Sequence, residues 1–126
     1  MLAPMTRLHD HVLLHLGPGL RKPVAAAEIV LVEAQGEHTR IRLVGDRVFD
    51  DVRRLGDLEG LLRGHALLRV HRHTIVNLRH VAEIRRRPEG RDWELRLDPP
   101  MDLVVPIARQ ALSAVWAAYG PLDAES

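Results

Sequence analysis

Between residues 28 and 44 the chain passes from an almost unbroken apolar run to a strict alternation of polar and apolar positions, and both patterns predict strands. EIVLVEA (residues 28–34) reads as a mostly buried strand, QGEH (35–38) as a turn and TRIRLV (39–44) as a half-buried strand, which together make a hairpin. Arg47 to Asp51 predicts a further short strand. In VRRLGDLEGLLRG (52–64), Leu55, Leu58, Leu61 and Leu62 recur at helical spacing and Gly64 supplies a stop. The β pattern then resumes through LLRV (67–70), TIVNL (74–78), VAEIRRR (81–87) and WELRL (93–97), with PEGRD turning the chain before the last of these. DLVVPI (102–107) is another strand, and its Pro106 marks an edge or a strand end. ARQALSAVWAAYG (108–120) predicts a C-terminal helix with Leu112, Val115, Trp116 and Tyr119 inward and Gly120 as its cap. Upstream, Thr6 to Leu16 carries Leu8, Val12, Leu13 and Leu16 on one helical face before Gly17 and Pro18, so a short helix is expected in an N-terminal extension of residues 1–23. Residues 24–120 then form one unit and 121–126 a tail. The expected class is mainly β, a β-rich α+β fold with one short internal helix and one C-terminal helix.

Composition narrows the function without naming it. The 126 residues, 46% hydrophobic and 28% charged, suit one domain with a modest core. With no cysteine, neither a disulfide framework nor a thiolate zinc site is available. No apolar stretch approaches the roughly eighteen residues that a membrane span requires. LHDHVLLHLGPGL lacks the cationic start of a signal peptide, so a cytoplasmic protein without membrane association is expected.

Charge changes the picture more. The net charge is only +1, but residues 63–91 hold eight arginines against Glu83 and Glu89, a local +6, while the flanking stretches are weakly acidic. One block thus carries the positive field that phosphates would require. Of the eighteen cationic side chains only Lys22 is not arginine, and the arginine fork pairs bidentately with phosphate or with a guanine edge. Within that block, RVHRHTIVN (69–77) sets Arg69, His71, Arg72 and His73 directly before a strand, where a core would exclude them.

Catalytic signatures are absent: there is no P-loop, no GxGxxG after a strand, no GxSxG elbow and no HExxH. His71 and His73 face one side of an extended segment, and His65 or His80 would be further metal ligands. A zinc site normally takes three or four ligands with fixed outer support, which this pattern lacks, so no metal and no cofactor is expected. Trp93 and Trp116 are expected in the core, with no aromatic interleaved among the arginines. Two other classes stay open on the residues alone: a basic module that meets an acidic protein without DNA specificity, and a His-dependent metal-binding protein.

The order of EIVLVEAQGEHTRIRLV, LLRVHRHTIVNLRHVAEI and WELRLDPPMDLVVPIAR resembles the LytTR family of bacterial DNA-binding domains over about residues 28–111, most specifically from Arg-Val-His-Arg to Ile-Val-Asn-Leu. The resemblance implies an elongated arrangement of small antiparallel sheets. It also implies a transcription regulator, not an enzyme, that reaches the major groove of double-stranded DNA with loops. The implied reading loops hold Glu37, His38 and Thr39, then His71, Arg72 and His73, and lastly Arg109. Base reading is expected from His38, Arg72, His73 and Arg109, because arginine to guanine O6 and N7 is the commonest specific contact. Phosphate contacts are expected from Thr39, Arg40, His71, Arg79, Arg85, Arg86 and Arg87. Asn77 is read either as a structural hydrogen-bond hub or as a DNA contact. The partners implied are DNA, in paired direct repeats, with a homodimer on the DNA or an upstream regulatory partner.

Overall fold

The computed structural model describes residues 10–99 and 101–120. Within them the strands are β1 (His11–Gly17), β2 (Leu20–Ala25), β3 (Ile29–Gln35), β4 (His38–Leu43), β5 (Arg47–Asp51), β6 (Leu67–His71), β7 (Thr74–Asn77), β8 (Val81–Arg86), β9 (Trp93–Leu97) and β10 (Val104–Ile107). Helix α1 (Leu55–Leu62) lies between β5 and β6, and α2 (Leu112–Tyr119) follows β10. They build three antiparallel sheets: a β1–β2 hairpin, a five-stranded sheet in the order β5-β4-β3-β7-β6, and a three-stranded sheet in the order β10-β9-β8.

The unbroken apolar run of β3 is explained by its position. It is the middle strand of the largest sheet, and both faces of that sheet are covered, so no residue from Ile29 to Val32 can be polar. On one face Ile29 and Val32 join Ile41, Leu43 and Ile75 under β1, β2 and α1. On the other, Val30 and Leu31 join Val70, Val76, Leu95, Leu97 and Ile107 under the three-stranded sheet and α2. Two neighbours share a face because the pairing with β4 skips Val30, a β-bulge that shifts the alternation by one. A second bulge skips Val70, since Arg69 pairs with Ile75 and His71 with Thr74. In α1, Leu55, Leu58 and Leu62 are buried whereas Leu61 is exposed, and the first turn after β10 is a 3-10 turn (Arg109–Ala111) leading into α2.

The expected N-terminal helix is corrected. Residues 11–17 form β1, with Val12 and Leu14 inward, and Leu8 and the rest of residues 1–9 lie outside the described residues. Residues 17–23, GPGLRKP, hold a turn and the start of β2: Gly19 takes φ of 72°, and Pro23 pairs with Leu13 on a strand whose other edge is unpaired in its sheet. Tyr119 is likewise not inward; it is exposed, and its hydroxyl donates to the Leu78 carbonyl.

Candidate nucleic-acid interface

Strand register brings separate loops to one end of the molecule. Glu33 pairs with Thr74, so the end of β3 lies beside the start of β7, and the Ala34 N–H donates to the His73 carbonyl at 2.9 Å. The β3–β4 turn, which uses Gly36 at φ of 63°, therefore sits next to the β6–β7 tip formed by Arg72 and His73. The Val70 bulge adds a third loop, because the skipped carbonyl accepts from the Ala108 N–H at 2.7 Å and fixes the chain just before Arg109. A fourth arrives through the small sheet, where Ile107 pairs with Trp93 and Arg86 pairs with Trp93, placing residues 87–92 at the same end.

The expected site residues divide accordingly. His38 is exposed at the start of β4. Arg72 is exposed, and among the described residues its guanidinium has no carboxylate or hydrogen-bond partner. Its carbonyl accepts from Arg69 Nη2, and Arg69 Nη1 donates to Glu59 of α1 at 3.0 Å, so the tip is braced from behind. The rings of His71 and His73 lie 5.8 Å apart, inclined by 44°. Arg109 is 80% exposed, and its Nε donates to Asp92 at 3.2 Å. Between the Arg72 tip and the Arg109 loop runs a groove of about 370 Å³ lined by Arg69, His71, Arg72, Ala108, Gln110 and Ala111.

Of the arginines expected at phosphates, Arg85 donates to Glu94 at 2.7 Å and Arg87 lies 3.5 Å from the same carboxylate. Arg40 donates to Asp50 at 3.1 Å. Arg86 instead lies over the Trp93 ring, 5.2 Å from its centre, and Trp93 meets Trp116 edge to face at 5.1 Å. The expectation that no aromatic interleaves with the arginines is thus corrected: Trp93 packs on the second core and carries a cation on its outer side. Arg79 is not brought to the others. It follows Asn77 at the far end of β7, roughly 10 Å or more along the strand from Thr74.

Thr39 is removed from the set. Its side chain is fully buried and its hydroxyl donates to the Arg53 carbonyl at 2.6 Å, so it has no reach to a phosphate. It belongs to a polar cluster beneath His38 that the sequence did not reveal. Asp51, also fully buried, accepts from the His15 and Arg53 backbone N–H groups at 2.8 and 2.9 Å and from Arg53 Nε and Nη2 at 2.9 and 2.8 Å. Burial by itself would raise the Asp51 carboxyl, but the Arg53 guanidinium and these two N–H groups hold it below its ordinary value. Asn77 is a structural hub: buried, it donates to the Ile29 carbonyl at 2.8 Å and accepts from the Arg79 N–H at 2.9 Å. Among the described residues no three His, Asp or Glu side chains are grouped to hold a metal, so His71, His73, His65 and His80 do not converge. No helix among them is long and apolar enough to cross a membrane.

Residues 21–119 match the model of the LytTr DNA-binding domain. The architecture is similar to a solved structure from Bacillus cereus described as the LytTr DNA-binding domain of a methyl-accepting/DNA response regulator. The TM-score is 0.68 and the identity 22%, covering 88% of this chain and 97% of that one. No curated protein sequence matches the chain.

Proposed function

The chain belongs to the LytTR family of DNA-binding domains, and from that premise we propose that it is a transcription regulator that binds double-stranded DNA at specific sequences, entering the major groove with loops and no recognition helix. The observation that carries this reading is the convergence of the His38, Arg72 and Arg109 loops on one end of the sheet, with the Arg72 guanidinium unengaged and Arg109 almost fully exposed. Arg72 and Arg109 read guanine edges, whose O6 and N7 match the arginine fork. His38 and His73 contact base edges as donor or acceptor according to tautomer. Arg86, Arg85 and Arg87, with Arg40 and His71, hold phosphates on either side and set the register. Arg86 suits this best, because its cation rests on an aromatic face and not on a carboxylate. Two copies on paired direct repeats would lengthen the surface, with residues 24–120 acting as the DNA-binding unit.

Selection of bound duplexes from a random pool tests the proposal. The wild-type protein is expected to enrich one motif, and Arg72→Ala to lose preference at one or two positions by about 1–3 kcal/mol each. A pool that stays random with folded protein overturns the reading.

A further inference from the structure

We propose that Asp92 is a positioning residue that fixes the direction in which Arg109 offers its guanidinium to a base edge. The inference rests on the reading of Arg109 as a base contact. Register brings the two side chains together: Trp93 pairs with Ile107, so Asp92 stands opposite Ala108 and diagonal to Arg109. Both backbones are held. The Asp92 carbonyl accepts from the Arg87 N–H at 2.8 Å, and on the other side Ala108 donates to Val70 at 2.7 Å while Ala111 donates back to the Ala108 carbonyl at 2.9 Å.

The side-chain contact joins Arg109 Nε to Asp92 Oδ1 at 3.2 Å. It occupies the Nε edge of the guanidinium and leaves the two terminal amino groups to span guanine O6 and N7. An arginine 80% exposed has many rotamers, and a carboxylate that selects one of them reduces the ordering needed on binding. Asp92 itself is half-exposed and faces the same solvent. Its negative charge opposes the phosphates, so its effects on total affinity and on discrimination run in opposite directions.

That opposition makes the test sharp. Arg109→Ala, Asp92→Ala and Asp92→Asn are compared with wild type on the selected duplex, on its single-base variants and on random duplex at one salt concentration, with thermal melts to verify folding. Arg109→Ala is expected to lower preference at one base position by about 5- to 150-fold, the range such a pair carries. Asp92→Ala is expected to bind random duplex more tightly while losing about 5-fold or more of the preference at that same position. Asp92→Asn, which keeps an acceptor oxygen, is expected to retain most of the preference.

The inference is overturned if Asp92→Ala leaves that preference intact or raises it, the latter marking the pair as a restraint that DNA must break. It is overturned also if Asp92→Asn loses as much as Asp92→Ala, which assigns the effect to charge. If Arg109→Ala alters no base position, Arg109 is not a base contact and the inference falls with that assignment.

Discussion

The two ends of β7 are held in different ways. At the Asn77 end a buried side chain answers three partners, donating to Ile29 and Ala26 and accepting from Arg79, so the strand is locked by side-chain hydrogen bonds. At the Thr74 end the strand emerges into Arg72 and His73, whose carbonyls are the tethered atoms, accepting from Arg69 and Ala34. The contrast teaches how a rigid tip can still present side chains: its backbone is fixed by neighbours, and the guanidinium and imidazole groups are left to meet something else. Among the described residues no buried side-chain nitrogen or oxygen lacks a partner, so the stability side of this division is complete.

The largest effect belongs to the locked end. Asn77→Ala strands the Ile29 carbonyl in the interior and uncaps the part-buried Arg79 N–H, and chemical unfolding is expected to show a loss of about 2–3 kcal/mol with DNA affinity per folded molecule unchanged. A loss below about 1 kcal/mol breaks the contrast. Next comes the cluster beneath His38, where Asp51→Asn is expected to cost about 1–2 kcal/mol by weakening charge-assisted bonds. This cluster also sets an acid limit. The folded Asp51 carboxyl lies below its ordinary value of 3.8, so its contribution is full above that value and is lost as pH falls through the lowered one. Stability measured between about pH 2 and 5 is expected to decline less steeply in Asp51→Asn, and identical slopes would detach Asp51 from the acid transition.

The smallest effects sharpen where the DNA surface stops. Arg86→Ala is expected to weaken all duplexes alike and to reduce the salt slope by about 0.9, the equivalent of one phosphate, whereas Arg79→Ala leaves the slope unchanged. A matching reduction for Arg79→Ala would carry the contact surface to the locked end and erase the difference between the two.

What the residues disclosed follows the same physics. The β3–β4 hairpin was legible because an apolar run, turn residues and an alternating run follow in order, β6 and β7 were legible as separate strands from their strand-forming residues, and the helix at Leu55–Leu62 because leucines recur on one face. HVLLHLG satisfied two periods at once. Leu13 and Leu16 extend a helical stripe, while Val12 and Leu14 alternate, and only the pairing partner in Leu20–Ala25 decides for the strand. That partner was hidden behind Gly17, Gly19 and Pro23. The exposed loop residues were found through clustered charge and family pattern. Thr39 was misassigned although the alternation of β4 sets it on the inward face with Ile41 and Leu43, only its Arg53 carbonyl partner lying outside the local pattern, and Asp92 was missed because its meeting with Arg109 depends on a register between strands that local sequence does not carry.

The unpaired Val70 has one more implication. Because its carbonyl takes the Ala108 N–H, the offset from the Arg72 tip to the Arg109 loop is a property of the main chain. On the proposed reading, a new base choice needs only a new side chain on either loop, whereas a new count of base pairs between the two contacts needs a residue inserted or removed. Descendants of such a protein would change which letters they favour long before they change how far apart those letters stand.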